Sequence, residues 1–499
     1  MAHTLALLFM ADDVQRKSAA EVIAALADAG SFESWDRDPP IPADEDYAGT
    51  LRRAAEAAGT DESVITGRVV IDGRPAVVIV GEFSYLAGSA GMAAADRVVD
   101  AFMRATAERL PVIGAPTSGG TRMQEGTPAF LRMVAVAAAA AAHRAAGLAY
   151  LVWLRDPTTG GVMATWGSLG QVTAADRGAL VGFLGPRVFQ AMTGQRFPAG
   201  IQTAENLASV GVIDAVVEIE QLRDWVATAL VVMTGQRGET GVLERRPAHH
   251  GPATVPRPDG WEAVTATRSA DRPGLRELLE AAATDVTRLS GTTAGERDDT
   301  ALVALARIGG TPCVLAGFDR VTGTAPGPGA LRTVRRAIAL AQELRLTLVT
   351  VVDTEGAEVS AAAEEGAMAG EIARSLADLA AADVPVVSVL LGSGCGGGAL
   401  ALLPADIVIA ADDTWVTPLP PEGAAAILYR STERAADVAR SQRITAVELH
   451  ELGAVDVVVP GVGRSHGSFI EGVAEAMADA VGRAEVTPTR ISKFVVAGP

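Results

Sequence analysis

Across 499 residues, 49% are hydrophobic and only 4% aromatic, and 42 basic against 60 acidic residues leave a formal charge of −18. That length and apolar content are enough for more than one substantial core, while the acidity disfavours a sequence-independent nucleic-acid footprint. Lysine occurs only as Lys17 and Lys493, so there is no P-loop Gly-Lys-Ser/Thr, no Schiff-base lysine beside a glycine motif and no Met-Lys-Met site for attached biotin.

The first apolar run, residues 5–10, is short, lacks a basic flank and is followed by Asp12-Asp13, which argues against a signal peptide. Residues 19–30 have helical apolar spacing ending at Gly30. The run from Val64 to Val80 reads as two strands turned at Asp72-Gly73. Helices are expected over 92–109, 127–146 and 202–210, with strands over 111–115 and 149–154. This alternation predicts layered α/β architecture. Residues 236–262 are rich in Pro, Gly and charge without apolar periodicity, and mark a linker. Beyond it the plan recurs, with strands at 301–307, 312–318, 346–352 and 384–391 and helices at 329–345 and 359–382. The chain therefore divides into an N-terminal domain (1–235), a linker (236–262) and a C-terminal domain (263–499). No apolar run is long enough to span a membrane.

Two glycine sets recur between the halves. Gly119-Gly120 is followed 41 residues on by Gly160-Gly161, and Gly356-Ala357 is followed 41 residues on by Gly397-Gly398-Ala399. Pairing Gly119 with Gly356 and Gly160 with Gly397 gives one offset, 237. A third pair, residues 207–217 and 449–459, shares a Leu, a Gly and an Asp at an offset of 242. Such recurrence implies a duplicated domain with two related turns. A Gly-Gly where a strand meets a helix leaves N–H groups unpaired and sterically open, so both can point at one oxygen. A single Gly-Gly more often serves only a tight turn.

One competing pattern is Gly392-x-Gly394-x-x-Gly397, after a strand, with Asp412-Asp413 about 20 residues on, which fits a dinucleotide fingerprint. The first-half counterpart Asp156-Pro-Thr-Thr-Gly160-Gly161 lacks it. All six histidines lie outside the glycine motifs, so no Ser-His or Cys-His arrangement is visible. Cys313 and Cys395 supply no metal-ligand spacing, and no metal is expected. Cys395 has no base nearby in sequence and reads as structural. Two cysteines that need not pair make a reduced cytoplasmic setting the expectation. Glu125, Glu364, Glu365 and Glu422 are candidate acids, although such residues more often cap helices.

These motifs carry a family resemblance. Gly88-Ser-Ala-Gly-Met92, Thr117-Ser-Gly-Gly-Thr-Arg122, Asp156 to Val162 and Gly182 to Arg187 resemble the β subunit of the acetyl-CoA carboxylase carboxyltransferase. Asp353-Thr-Glu-Gly-Ala357, Gly392 to Ala399 and Pro421 to Leu428 resemble its α subunit. The chain thus resembles a fused β–α carboxyltransferase of the acyl-CoA carboxylase type. The resemblance implies two tandem crotonase-like (ClpP/crotonase) domains that move CO2 from carboxybiotin to the α-carbon of a short acyl-CoA. Biotin would come on a partner, the biotin carboxyl carrier or biotin carboxylase protein, and would take the α-proton. By the same resemblance Gly160 and Gly161 hold the thioester oxygen, Gly397, Gly398 and Ala399 the biotin oxygen, and Gly119, Gly120, Arg122, Gly356 and Ala357 border the bound groups. It further implies a homo-oligomer with sites between subunits. Glu355 stands where a proline is usual, and the zinc ribbon of many relatives is absent. Two other readings stay open: a malonyl or methylmalonyl thioester decarboxylase, and a non-catalytic scaffold subunit.

Overall fold

In the computed structural model, which describes residues 16–235, 258–320, 323–461, 465–488 and 490–494, β-branched residues on either side of Asp72-Gly73 form the expected hairpin. Strands β2 (Val64–Ile71) and β3 (Arg74–Gly81) pair antiparallel with Ile71 opposite Arg74. Asp72 and Gly73 both take positive φ, as a two-residue turn of this hand requires. The Asp28 carboxylate accepts from both their N–H groups at 3.1 and 3.0 Å.

The chain divides into two compact units, Met1–Leu230 and Val231–Pro499. In the first, the sheet order is β1 (Glu33–Ser34), β2, β3, β4 (Val112–Ala115), β5 (Tyr150–Leu154), β7 (Val172–Ala175) and β9 (Ala215–Val216). Pairing is antiparallel through β3 and parallel beyond it. A separate two-stranded piece joins β6 (Thr158–Thr159) to β8 (Val181–Gly182). The helix Met92–Glu108 buries Ala94, Ala95, Val98, Ala101 and Phe102 in this unit's core. Four of these side chains are no larger than valine, so the helix backbone approaches the sheet closely.

The second unit repeats that order with β10 (Ala283–Leu289), β11 (Ala301–Ile308), β12 (Thr311–Phe318), β13 (Thr347–Thr354), β14 (Val386–Cys395), β15 (Ile407–Ala411) and β17 (Val457–Val459), and β16 (Trp415–Thr417) pairs with the end of β14. The change from antiparallel to parallel again falls after the hairpin. β13 and β14, each carrying a run of Val and Leu, are buried along their whole length, as a parallel sheet covered on both faces demands.

Several sequence boundaries move. The helix expected over 19–30 is Ala19–Leu26, opened by a capping box between Ser18 and Glu21, and Gly30 serves the turn beyond it. The single helix expected over 359–382 is two, Ala361–Glu365 and Met368–Ala381. Between them Ala367 is left-handed, and Arg332 holds the Gly366 carbonyl at 2.5 Å. Residues 236–257 of the expected linker, like the 5–10 run, lie outside the described residues, and the linker's last residues open a helix, Gly260–Thr267. No described helix is long and apolar enough to cross a membrane.

The repeat's offset also needs correction. It is 237 in the hairpins, where Val64–Gly81 matches Ala301–Phe318. From the next helix onward it is 236: Met92–Glu108 matches Pro328–Leu344, and the left-handed caps Arg109 and Arg345 match. Gly120 (φ 120°) then matches Gly356 (φ 134°), and Gly160 (φ 65°) matches Gly396 (φ 66°). Adjacent glycines allow either pairing in sequence, and backbone conformation separates them. The third pair keeps its offset of 242, with Asp214 and Asp456 each accepting from a strand N–H, of Thr173 and Val408.

Candidate active site

Each unit brings its two glycine sets together by the same hydrogen-bonding device. After β4 the chain turns through Thr117-Ser118-Gly119-Gly120, and Thr159 N donates to Ser118 O at 3.0 Å. Ser118 Oγ accepts from Gly120 N at 3.0 Å. In the second unit Thr354 Oγ1 accepts from Gly356 N at 3.2 Å, and Thr354 pairs with Gly394. A hydroxyl two residues ahead of a positive-φ glycine is a short-range turn signal, legible in both halves.

The first turn is a backbone-to-backbone contact. A Cβ on Gly160 would stand 2.8 Å from Gly120 Cα, and Gly160 also has φ 65°, so only glycine fits there. Gly160 N–H donates to Phe183 O at 2.9 Å. It is therefore not an oxyanion donor as the sequence reading had it, and Gly160 shapes the turn instead. The helix Gly160–Met163 begins at that point, so its first-turn N–H groups on Gly161 and Val162 have no intrahelical partner. Val162 carries no glycine signal in the sequence, yet its N–H is one of these first-turn groups. Gly119 and Gly120 likewise use their N–H groups internally, toward Ala87 O at 2.9 Å and Ser118 Oγ.

In the second unit β14 runs straight into the helix Gly396–Leu400. Gly396 takes the left-handed conformation that Gly160 takes in the first turn, and Gly397, Gly398 and Ala399 follow in the first helical turn. A Cβ on Gly398 would be in ordinary contact with Ala357, whose N lies 3.5 Å away, whereas a Cβ on Gly397 would meet Ile372 Cδ1 at 2.6 Å, so Ala357 and Ile372 border this turn. Gly392 and Gly394 lie inside β14, and a Cβ on Gly392 would collide with the Asp353 carboxylate. Two glycines of the dinucleotide pattern thus serve strand packing, and no phosphate turn forms around them.

Side-chain chemistry beside the turns is already committed. Arg122 is fully buried, bonds both carboxylate oxygens of Glu62, and reaches Glu125 at 3.2 Å and Ser89 O at 2.9 Å. Burial opposes its charge, yet the Glu62 bond and charge outweigh that and raise its pKa. Its guanidinium braces the loop carrying Gly119-Gly120 and presents no free face to a ligand. Glu355 pairs with Arg268 at 3.1 Å and Ser393 Oγ at 3.4 Å, and Arg268 also bonds Glu422 at 2.6 Å. The two carboxylates face one guanidinium, which leaves Glu422 below its ordinary range, chiefly by that hydrogen bond.

Cys395 is buried, and desolvation pushes its thiol up to about 11. It is a protonated packing group at neutral pH. His143 is buried between Thr106 Oγ1 (2.9 Å) and Ala149 O (3.3 Å), and burial lowers it to about 4. It ties a helix to the sheet. Among the described residues no group of three or more His, Cys, Asp and Glu could hold a metal ion. What remains for chemistry is two arrays of backbone dipoles.

The family model for the carboxyl transferase domain matches residues 15–478. The chain is 52% identical over 440 residues to a probable biotin-dependent acyl-coenzyme A carboxylase beta3 subunit of Mycobacterium tuberculosis, covering 87% of this chain and 88% of that protein. It is 36% identical over 459 residues to the acetyl-coenzyme A carboxylase carboxyl transferase subunits beta/alpha of Salinispora tropica, covering 88% and 81%. In fold it is similar to transcarboxylase 12S, a hexamer solved with methylmalonyl-coenzyme A and methylmalonic acid, at TM-score 0.77 and 20% identity over 95% of this chain and 91% of that one. A single-chain, multi-domain long-chain acyl-CoA carboxylase matches at TM-score 0.71 and 20% identity over 93% of this chain and 46% of its own. The two solved structures establish the two-domain α/β fold. With a family model spanning most of its length and a relative sharing half of its residues, the chain belongs to the carboxyl transferase family of the biotin-dependent acyl-CoA carboxylases.

Proposed function

We propose that this chain is the carboxyltransferase component of an acyl-CoA carboxylase, acting on a short acyl-CoA with biotin presented by a separate carrier protein. The observation that supports this is the pair of matched turns, each ending a strand segment at a left-handed glycine and starting a helix whose first-turn N–H groups have no intrahelical partner. Preorganised N–H groups stabilise oxygen that gains negative charge without reorganising, which suits a thioester carbonyl as its α-carbon loses a proton. Gly161 and Val162 are assigned to that oxygen. Gly397, Gly398 and Ala399 are assigned to the ureido oxygen, with Ala357 beside Gly398. When bound, carboxybiotin supplies the carboxyl group and the base, which accounts for a site without a histidine. Arg122 and the Arg268–Glu355–Glu422 cluster hold the loops and take no proton. Localisation in the cytoplasm and assembly into a homo-oligomer complete the reading.

The purified chain should decarboxylate malonyl-CoA or methylmalonyl-CoA only when biocytin is added, with carboxybiocytin as product. Equal decarboxylation without biocytin would favour the decarboxylase reading, and no product under either condition would favour a scaffold.

A further inference from the structure

We infer that an apolar cavity behind the first glycine turn receives the β-carbon of the acyl group and limits the substrate to about propionyl size. The inference rests on the assignment of that turn to the thioester. The cavity lies between the helix Met92–Glu108, the helix Gly126–Ala145 and the segment that follows Gly161, and its walls include Ala94, Val98, Met133, Val136, Val162 and Trp166. All six side chains are buried. Cores pack at nearly crystalline density, so even a small apolar void beside Val162 offers room for only a small group. Its free space is about that of a single water-sized group, and a space with such walls favours an alkyl group over water.

Val162 makes the connection. Its N–H belongs to the first helical turn proposed to hold the thioester oxygen, and its side chain is part of the cavity wall. An acyl group held at that N–H would be within one residue of the cavity wall. Met133 touches both: it lines the void, and its Cγ and Sδ are 3.4 and 3.6 Å from where a Gly161 Cβ would be. An unbranched thioether can shift to admit a small group. For a thioester R–CH2–CO–S, the α-carbon must stay accessible to the incoming carboxyl group, so R is the part that enters. Hydrogen leaves the space unused, methyl fills it, and ethyl exceeds it.

The reverse reaction tests this with the chain alone: kcat/KM for malonyl-CoA, methylmalonyl-CoA and ethylmalonyl-CoA with biocytin as acceptor. Wild type should prefer methylmalonyl-CoA to ethylmalonyl-CoA by about 10-fold or more, the usual worth of one methylene in an apolar pocket. Met133→Ala and Val136→Ala, which only remove atoms, should each shift that ratio toward ethylmalonyl-CoA by about 10-fold. Ala94→Val should shift the methylmalonyl-to-malonyl ratio the other way by a similar factor; if it does not fold, the two truncations decide. Ratios unchanged within about twofold in active truncation variants, or a wild-type preference for ethylmalonyl-CoA, would overturn the inference and leave the void as imperfect packing. A wild type that transfers no carboxyl group from any of the three defeats the assigned activity first, and the cavity's role with it.

Discussion

Replacing Gly161 by valine puts a branched side chain against Thr121 Oγ1, already 2.8 Å from a Cβ at that position, and beside the N–H proposed to hold the thioester oxygen. Gly398→Val is sterically easier, since its Cβ makes only ordinary contact with Ala357. Each variant should lose about 10²–10³ in carboxyl transfer, the usual effect of removing one oxyanion donor array. Gly398→Val should do so with an unchanged thermal midpoint, whereas Gly161→Val should also be less stable. Near-wild-type turnover in both would remove the backbone-dipole assignment. Cys395 supplies the converse test. With its thiol pushed up to about 11 by burial, almost none is thiolate at pH 8, so Cys395→Ala should keep most of the activity and iodoacetamide should not inactivate the folded enzyme. Inactivation that Cys395→Ala abolishes would make it a nucleophile after all. At this scale the sequence disclosed which residues cluster but not which atoms are free. Gly160 looks identical to Gly161 in a string of letters, and only the bond to Phe183 O shows that its N–H is spent.

The helix Gly126–Ala145 carries a titratable anchor in its last turn. His143 is neutral in the fold because burial holds it at about 4, whereas in an unfolded chain it titrates near 6.5. A base depressed on folding contributes stability that is fully present above the unfolded pKa. That stability is lost as pH falls from about 6.5 toward 4, where the unfolded state takes up a proton first. The span corresponds to about 3 kcal/mol. Chemical denaturation across that window should show the decline in wild type and a flatter profile in His143→Gln, and parallel profiles would mean His143 is not the titrating group. Elements with strong periodicity were readable from sequence: the Asp72-Gly73 hairpin, the helices at 92–108 and 126–145, and β11 to β13. What escaped were interruptions set by tertiary bonds. The break at Gly366-Ala367 is held by Arg332 from another helix, and the change of offset from 237 to 236 falls between hairpin and helix, where the second loop is one residue shorter and only the N-cap pair Gly91 and Gly327 shows the new offset.

At the scale of the whole molecule, two units of one plan each present one turn, and the proposed reading gives the thioester to one and the biotin to the other. Recurrence of the order antiparallel hairpin then parallel strands explains why duplication was legible, since each unit must separately bury its own sheet. Transcarboxylase 12S, similar in fold, is described as a hexamer, and the proposal for this chain is likewise a homo-oligomer in which the first unit of one copy works with the second unit of another. Genetic complementation separates that arrangement from a self-sufficient chain. Gly161→Val disables the first turn and leaves the second intact; Gly398→Val does the reverse. If each reaction drew on both turns of one chain, every chain in a mixture would carry a defect and activity would stay at the mutant level. If it draws on two copies, a mixed pair holds one site with both turns intact and one with both damaged. Random mixing of equal amounts makes half of the pairs mixed, so activity should return to about a quarter of wild type. Co-expression with two different tags and tandem purification would isolate the mixed species, in which about half of wild-type activity is expected. Verified mixed oligomers no more active than either parent, or a monomer with full activity, would rule out sites shared between copies.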